Sequence, residues 1–224
     1  MQDRLDSYDN DVEPFDEDEF EQALHDYFDG FTWNAKGVIK GDGEVIPIPP
    51  VSNCVTAIFE VDAVVQVEKM ADELGAKLIE PDHTRQYPDS TLIFEDKQIA
   101  LDIKTARRSA SSENRLKSPM TLGSYAGYFR NPTEESPWTT YPYGTYDDHW
   151  ILCFAYRWDD DKKSLDMVWD IETLIGRKWE FASQSSGTGT TNAMGSMKDM
   201  EALRNREPVF DSEEDFEEYW RNYD

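Results

Sequence analysis

The sequence predicts a mixed α/β (α+β) fold, and three observations carry that reading. Helical periodicity occurs near residue 20, after Pro50 and at the C-terminal end. Strand-like alternation fills residues 77–104, and a strongly apolar strand runs from Trp150 to Tyr156 with a turn behind it. The 224 residues fit one large domain or one domain with a small accessory part. A 38% hydrophobic fraction with 7 Trp, 11 Tyr and 11 Phe can build a sizeable core, which excludes a disordered acidic tail.

Each element follows from its residues. Residues 1–18 are acidic and are expected to be flexible. Glu19 to Phe28 sets Phe20, Leu24, Tyr27 and Phe28 at helical spacing, and Gly30 stops that helix. Gly37 to Pro47 reads as two short strands around Gly41-Asp42-Gly43, closed by Pro49-Pro50. Ser52 or Asn53 caps a long helix to about Leu74, with Ile58, Val61, Val65 and Leu74 inward and Gly75 as its stop. Residues 77–104 are strands, 105–118 a polar loop, and 119–131 a helical or irregular stretch. The strand Trp150 to Tyr156 turns at Asp159 to Lys163 and pairs with Leu165 to Trp169. Residues 183–196 form a Ser/Gly/Thr/Asn loop. Asp211 and Glu214 cap a closing helix lined by Phe216, Tyr219, Trp220 and Tyr223.

Charge narrows the function. The chain has 22 Lys plus Arg against 47 Asp plus Glu, a net charge of −25. Such a field repels nucleic acid at low ionic strength. It fits either a DNA mimic or acidic partner-binding protein, or a protein of a high-salt cytoplasm. At about 1 M salt the Debye length is only ~3 Å, so remote surface acids hardly affect a DNA ligand. The segment Lys104 to Arg130 argues for the second: Lys104, Arg107, Arg108, Arg115, Lys117 and Arg130 face the single acid Glu113. No run of 18 apolar residues occurs, so no membrane span is expected. The N-terminus lacks a secretory pattern, and Cys54 and Cys153 read as free thiols of a reducing cytoplasm.

The chemistry-bearing pattern is Pro88-Asp89 followed by Asp102-Ile103-Lys104. Thr91 to Phe94 and Gln98 to Lys104 read as a hairpin around Glu95-Asp96-Lys97, with Phe94 near Gln98 and Asp89 near Ile103. Strand alternation puts Ile99, Leu101 and Ile103 on a core face, and Ala100, Asp102 and Lys104 on the other. Two carboxylates and a lysine then converge. Hard oxygen donors without a His or Cys pair favour Mg²⁺ over zinc. Glu60, on the preceding helix, is a further candidate carboxylate. The structural alternatives are a turn aspartate, a solvated strand face and an exposed helix acid.

Several segments together are similar to the EcoRV family of type II restriction endonucleases. They are Gln86-Tyr87-Pro88-Asp89-Ser90-Thr91-Leu92, Ile99-Ala100-Leu101-Asp102-Ile103-Lys104-Thr105, Thr121-Leu122-Gly123-Ser124-Tyr125, and Phe129-Arg130-Asn131. His149-Trp150-Ile151, Gly187-Thr188-Gly189-Thr190-Thr191-Asn192, Phe210-Asp211-Ser212-Glu213 and Tyr219-Trp220-Arg221-Asn222-Tyr223 follow in the family's order. The resemblance implies a PD-(D/E)xK restriction-endonuclease-like fold, with a central mixed sheet flanked by helices and a small dimerisation subdomain. It divides residues 19–224 into dimerisation parts, about 20–50 and 145–175, and a catalytic and DNA-binding remainder. It implies a homodimeric, Mg²⁺-dependent endonuclease cutting a short palindrome in double-stranded DNA, paired with a cognate DNA methyltransferase. Asp89, Asp102 and Lys104 match the catalytic trio, with Asp89, Asp102 and Glu60 as metal-binding acids. DNA contacts fall on the loop Gly187 to Asn192, on Thr84-Arg85-Gln86 and on Thr105. The family's loop Asn stands as Thr190 here, and the 84–86 loop differs too, so the GATATC site of the family is expected in altered form.

Two other functions fit the residues: a repair or junction-resolving nuclease with the same metal site, and a silent acidic DNA mimic on a nuclease-like fold. The basic run after Lys104 and the complete Asp89/Asp102/Lys104 set argue against the mimic.

Overall fold

Helix α1 (Glu17–Phe28) begins where the Asp16 carboxylate accepts the Glu19 amide, with Glu17, Asp18 and Glu19 favourably placed in its first turn. The computed structural model describes residues 12–187 and 192–223. The chain is anchored well before residue 18. The Glu13 amide donates to Gly75 O, its carbonyl accepts from Glu95, and the Phe15 amide donates to Asp96. Glu13 and Phe15, inside the stretch expected to be flexible, are therefore tied to the body of the fold, and residues 1–11 lie outside the described residues.

Strands β1 (Val38–Ile39) and β2 (Val45–Ile46) form the expected small hairpin, with all four side chains exposed. Helix α2 (Ser52–Glu73) starts at Val51, without the side-chain cap expected from Ser52 or Asn53. It buries Val55, Phe59, Ala63, Val67, Met70 and Ala71. Val61 and Val65, expected inward, are 68% and 45% exposed. The helix carries apolar residues around much of its circumference, so periodicity alone could not choose the face. Phe59 decides it, packing between Trp33 and Phe154.

The central sheet contains β3 (Lys77–Ile79), β4 (Ser90–Ile93), β5 (Gln98–Arg107), β7 (Asp148–Trp158) and β8 (Val168–Arg177), ordered β3-β4-β5-β7-β8. Only the β5–β7 ladder is parallel, so the sheet is mixed. Helices α1 and α2 cover one face, where Phe20 and Phe59 meet Leu101, Trp150 and Phe154. The other face carries α3 (Tyr125–Phe129), α4 (Lys178–Phe181), α5 (Met200–Arg204) and α6 (Glu213–Arg221). Between them lies a second sheet, β6 (Thr121–Ser124)–β10 (Ala193–Ser196)–β9 (Ala182–Ser186).

Several expected boundaries move. The polar loop after Lys104 starts later, because β5 runs to Arg107 and Arg108 bridges to Leu116. Leu165 lies in a 3-10 turn (Ser164–Asp166), and the partner strand begins at Val168. Of the expected 183–196 loop, 183–186 and 193–196 are instead in strands β9 and β10. Ser212, not Asp211, caps α6 by accepting the Asp215 amide. The centre of β7 is buried on both faces, which leaves the rim near Leu165 and Trp169 as the exposed apolar part of 145–175.

Candidate active site

The hairpin register builds the site. Ser90 pairs with Leu101 and Ile93 with Gln98, and the Phe94 amide donates to Lys97 O, so the turn is two residues, Glu95-Asp96. This is one residue away from the expected pairing of Phe94 with Gln98. The difference is consequential, because directly opposed residues share a face. Continued one step past Ser90, the observed register sets Asp89 opposite Asp102, on the face that also carries Lys104. The Asp89 carboxylate accepts the Ile103 amide at 2.6 Å, which fixes it beside β5.

Alternation along β5 holds as expected. Ile99, Leu101 and Ile103 enter the core under α1 and α2, while Ala100 and Ala106 enter the core on the other side. Asp102 is only 4% exposed, and its Oδ2 lies 2.7 Å from Lys104 Nζ, whose side chain is 22% exposed. The pair therefore opens to solvent only at the lysine end.

Burial and the neighbouring Asp102 carboxylate push the Asp89 carboxyl up to about 8, against the opposing pull of Lys104. Burial by itself would lower Lys104, but Asp102 and Asp89 outweigh it and raise the ammonium above its ordinary value. Lys104 is thus held protonated, and Asp89 keeps its proton beside the Asp102 carboxylate.

This set fits a hard divalent cation. The buried Asp102 and half-buried Asp89 share one lysine, so ionising both leaves them short of a positive partner, and Mg²⁺ takes one or two carboxylates while keeping several waters. Among the described residues no three His, Cys, Asp or Glu side chains converge as a ligand cage. Glu60 is accordingly not gathered with Asp89 and Asp102. It stands on α2, partly buried, where its charge helps raise Lys104.

The expected DNA-contacting residues are spread around this centre. Thr84 and Arg85 are exposed on the turn leading into Asp89, and Gln86 Oε1 accepts the Asp82 amide. Gln86 lines a surface pocket with Glu135, Thr140 and Tyr141. Thr105 lies on the opposite face of β5 from Lys104, and its hydroxyl bonds Thr56 of α2, so the structure does not bring it to the site. Gly187 and Asn192 flank the tip between β9 and β10, and the Gly187 amide closes its base on Ala193 O. Asn192 Oδ1 accepts the Tyr125 hydroxyl, and its carbonyl the Tyr125 amide. Thr188, Gly189, Thr190 and Thr191 lie outside the described residues.

The basic run is largely committed internally. Lys104 pairs with Asp102, Arg107 with Asp160, Arg108 with Asp170, and Arg130 donates to Tyr223 O. Arg115 and Lys117 remain exposed.

Sequence reasoning missed one charged residue altogether. Lys178, on α4, is buried beneath the site against the rings of Tyr87, Tyr128 and Tyr143. Nothing in Arg177-Lys178-Trp179 distinguishes it from a surface lysine.

Comparison with known proteins agrees with this geometry. The family model described as restriction endonuclease EcoRV matches residues 29–224. A curated relative, the type II restriction enzyme EcoRV of Escherichia coli, is 30% identical over 222 residues, covering 90% of this chain and 86% of the relative.

Proposed function

This chain belongs to the EcoRV family of restriction endonucleases, and from that premise we propose that it hydrolyses phosphodiester bonds in a short palindromic site of double-stranded DNA, with Mg²⁺ as its metal. The observation that carries this reading is the convergence of Asp89, Asp102 and Lys104 on one face at the edge of a buried acidic centre.

Asp89 and Asp102 would hold the metal. When bound, Mg²⁺ lowers the pKa of a coordinated water and offsets charge growing on phosphorus. Lys104, kept protonated by its acidic neighbours, is a donor and not a base. It therefore orients the attacking water or binds a non-bridging phosphate oxygen. The Ile103 amide holds Asp89 in register as the scissile phosphate arrives.

A two-fold homodimer suits a palindrome, because each subunit reads one half-site and cuts one strand. Exposed apolar side chains support a partner surface. Val38, Ile39, Val45 and Ile46 of the β1–β2 hairpin and Val61 and Val65 of α2 are exposed. A largely apolar groove of about 490 Å³ runs beside them between Phe31, Trp33 and Ile58. Arg115, Lys117, Arg85 and the β9–β10 tip would meet DNA. The recognised sequence is an altered GATATC-like site, since Thr190 and the 84–86 loop carry the departures. Self-cleavage of the host genome would follow without a cognate methyltransferase, which completes the system.

Plasmid digestion with Mg²⁺ tests the reading. Discrete fragments with defined ends are expected. Structure-dependent nicking would indicate a junction-resolving enzyme instead, and no cutting by folded protein would sink the nuclease reading.

A further inference from the structure

Lys178 is 1% exposed, and its ammonium has no hydrogen-bond acceptor among the described residues. A buried cation without an acceptor is costly, and such groups persist where function retains them. Of the three rings around it Tyr87 is closest, with Nζ 3.7 Å from the centroid; Tyr143 and Tyr128 stand at 5.1 and 5.2 Å. The cage is ordered. Tyr143 stacks on Tyr128 at 4.5 Å and on His149 at 3.9 Å, and the Tyr87 hydroxyl bonds His149 Nδ1 at 2.7 Å.

Tyr87 is also held by its backbone, with its amide on Trp138 O and its carbonyl accepting from Thr140. Asp89 follows two residues later. On the other side, Lys178 opens α4, whose chain passes directly into β9 and the arm carrying Gly187. The lysine thus stands where the arm expected to read DNA meets the turn carrying an acidic ligand.

We propose that Lys178 is a positioning residue: its ammonium, seated against the Tyr87 ring, holds the Tyr87–Asp89 turn so that the Asp89 carboxylate faces Asp102. The inference rests on the nuclease reading above. Burial lowers Lys178 to about 7, with Asp102 and Asp89 opposing that fall. The other charges acting on it are Lys104 and Glu213, and it in turn lowers His149, whose fall comes first from burial.

The test compares wild type with Lys178→Met, which keeps the volume but removes the charge, and Lys178→Arg, which restores a cation suited to an aromatic cage. Four quantities are read: urea stability, Mn²⁺ affinity by calorimetry without DNA, KM for plasmid, and kcat. Lys178→Met is expected to be as stable as wild type or more so, with KM within about twofold and kcat lower by roughly tenfold or more, as displaced catalytic groups produce. Its Mn²⁺ affinity should weaken by about threefold or more, because the ligand pair is no longer preset. Lys178→Arg should recover most of kcat; if its bulk prevents folding, Lys178→Met decides alone. Unchanged kcat in Lys178→Met, tighter Mn²⁺ binding, or a kcat loss matched by lost stability would each overturn the proposal. Tighter binding would mean that the lysine merely repels the cation. If wild type itself fails to cut, the nuclease reading has failed, and the Mn²⁺ and stability arms still judge the role of Lys178.

Discussion

Replacing Asp102 by Asn separates a catalytic carboxylate from a structural ion pair. Asp102 and Lys104 lie 2.7 Å apart, which at an effective dielectric near 20 is a gross attraction of about 6 kcal/mol. Loss of one partner of a buried pair ordinarily costs about 3–5 kcal/mol, because the other charge is stranded. Here it is not stranded. Asp89 already acts on Lys104, and with Asp102 neutral its carboxyl falls from about 8 and ionises as the new counter-charge. Asp102 also carried a desolvation cost of several kcal/mol that the amide avoids. The opposing effects leave Asp102→Asn within about 2 kcal/mol of wild type in urea unfolding. Cleavage with Mg²⁺ should nonetheless fall by about 10³-fold or more, roughly 4 kcal/mol of transition-state stabilisation. Loss of more than about 3 kcal/mol of stability would show a supporting ion pair instead of a frustrated site. Cleavage within about tenfold of wild type would refute the assignment of Asp102 outright.

Four other outcomes are expected. The metal-free protein holds the Asp89 proton up to about pH 8 while the unfolded chain releases it near 4, so this group's contribution to stability is full below about pH 4 and is lost as pH rises to about 8. Mg²⁺ must displace the same proton, so calorimetric Mg²⁺ affinity should climb between about pH 6 and 8 and level above; a flat profile would contradict the raised carboxyl. Gly123→Ala should cost about 3 kcal/mol or more in urea unfolding, because φ is +102° and a Cβ would meet the stacked Tyr128 ring at 2.3 Å; a neutral effect would refute the close approach. Val61→Asp combined with Ile39→Asp should give a folded monomer of much reduced cleavage by light scattering and plasmid assay, whereas an unchanged dimer would place the interface elsewhere. The −25 charge predicts folding and cutting optimal near or above about 1 M salt, and an optimum near 0.1 M with inhibition at 1 M would remove the halophilic reading.

The site was more legible in sequence than the surfaces around it. Asp89, Asp102 and Lys104 are close in the chain and joined by a tight hairpin, so local alternation nearly sufficed to bring them together. It missed by one residue because Glu95-Asp96-Lys97 looks like a three-residue turn, whereas Lys97 pairs with Phe94. The inward face of α2 was illegible because Val61 and Val65 look no different from Val55 and Val67 until Phe59 and Phe154 stack. The basic run promised more free charge than exists, since Asp160 and Asp170 reach Arg107 and Arg108 from over 50 residues away. Such pairings are tertiary, and no window of sequence contains them.

The burial of β5 on both faces changes what the acidic pair is. A solvated strand face would leave Asp89 and Asp102 as ordinary carboxylates, screened from each other and indifferent to a cation. Ala100 and Ala106 instead belong to a buried cluster with Leu122, Tyr128 and Ile151, and Asp102 lies between them on the same strand face, beside Ile151 of β7. Water is thereby withheld from two like charges, and Lys104 can neutralise only one. The remaining charge is removed by a proton on Asp89, for which the proposed metal would compete. The fold thus sets the charge state of this pair by the way it covers one strand, with α3, the β6–β10–β9 sheet and the Lys178 cage as the cover. That cover also carries the arm with Gly187 and Asn192, so a displacement of the arm would act on the layer that keeps Asp102 dry.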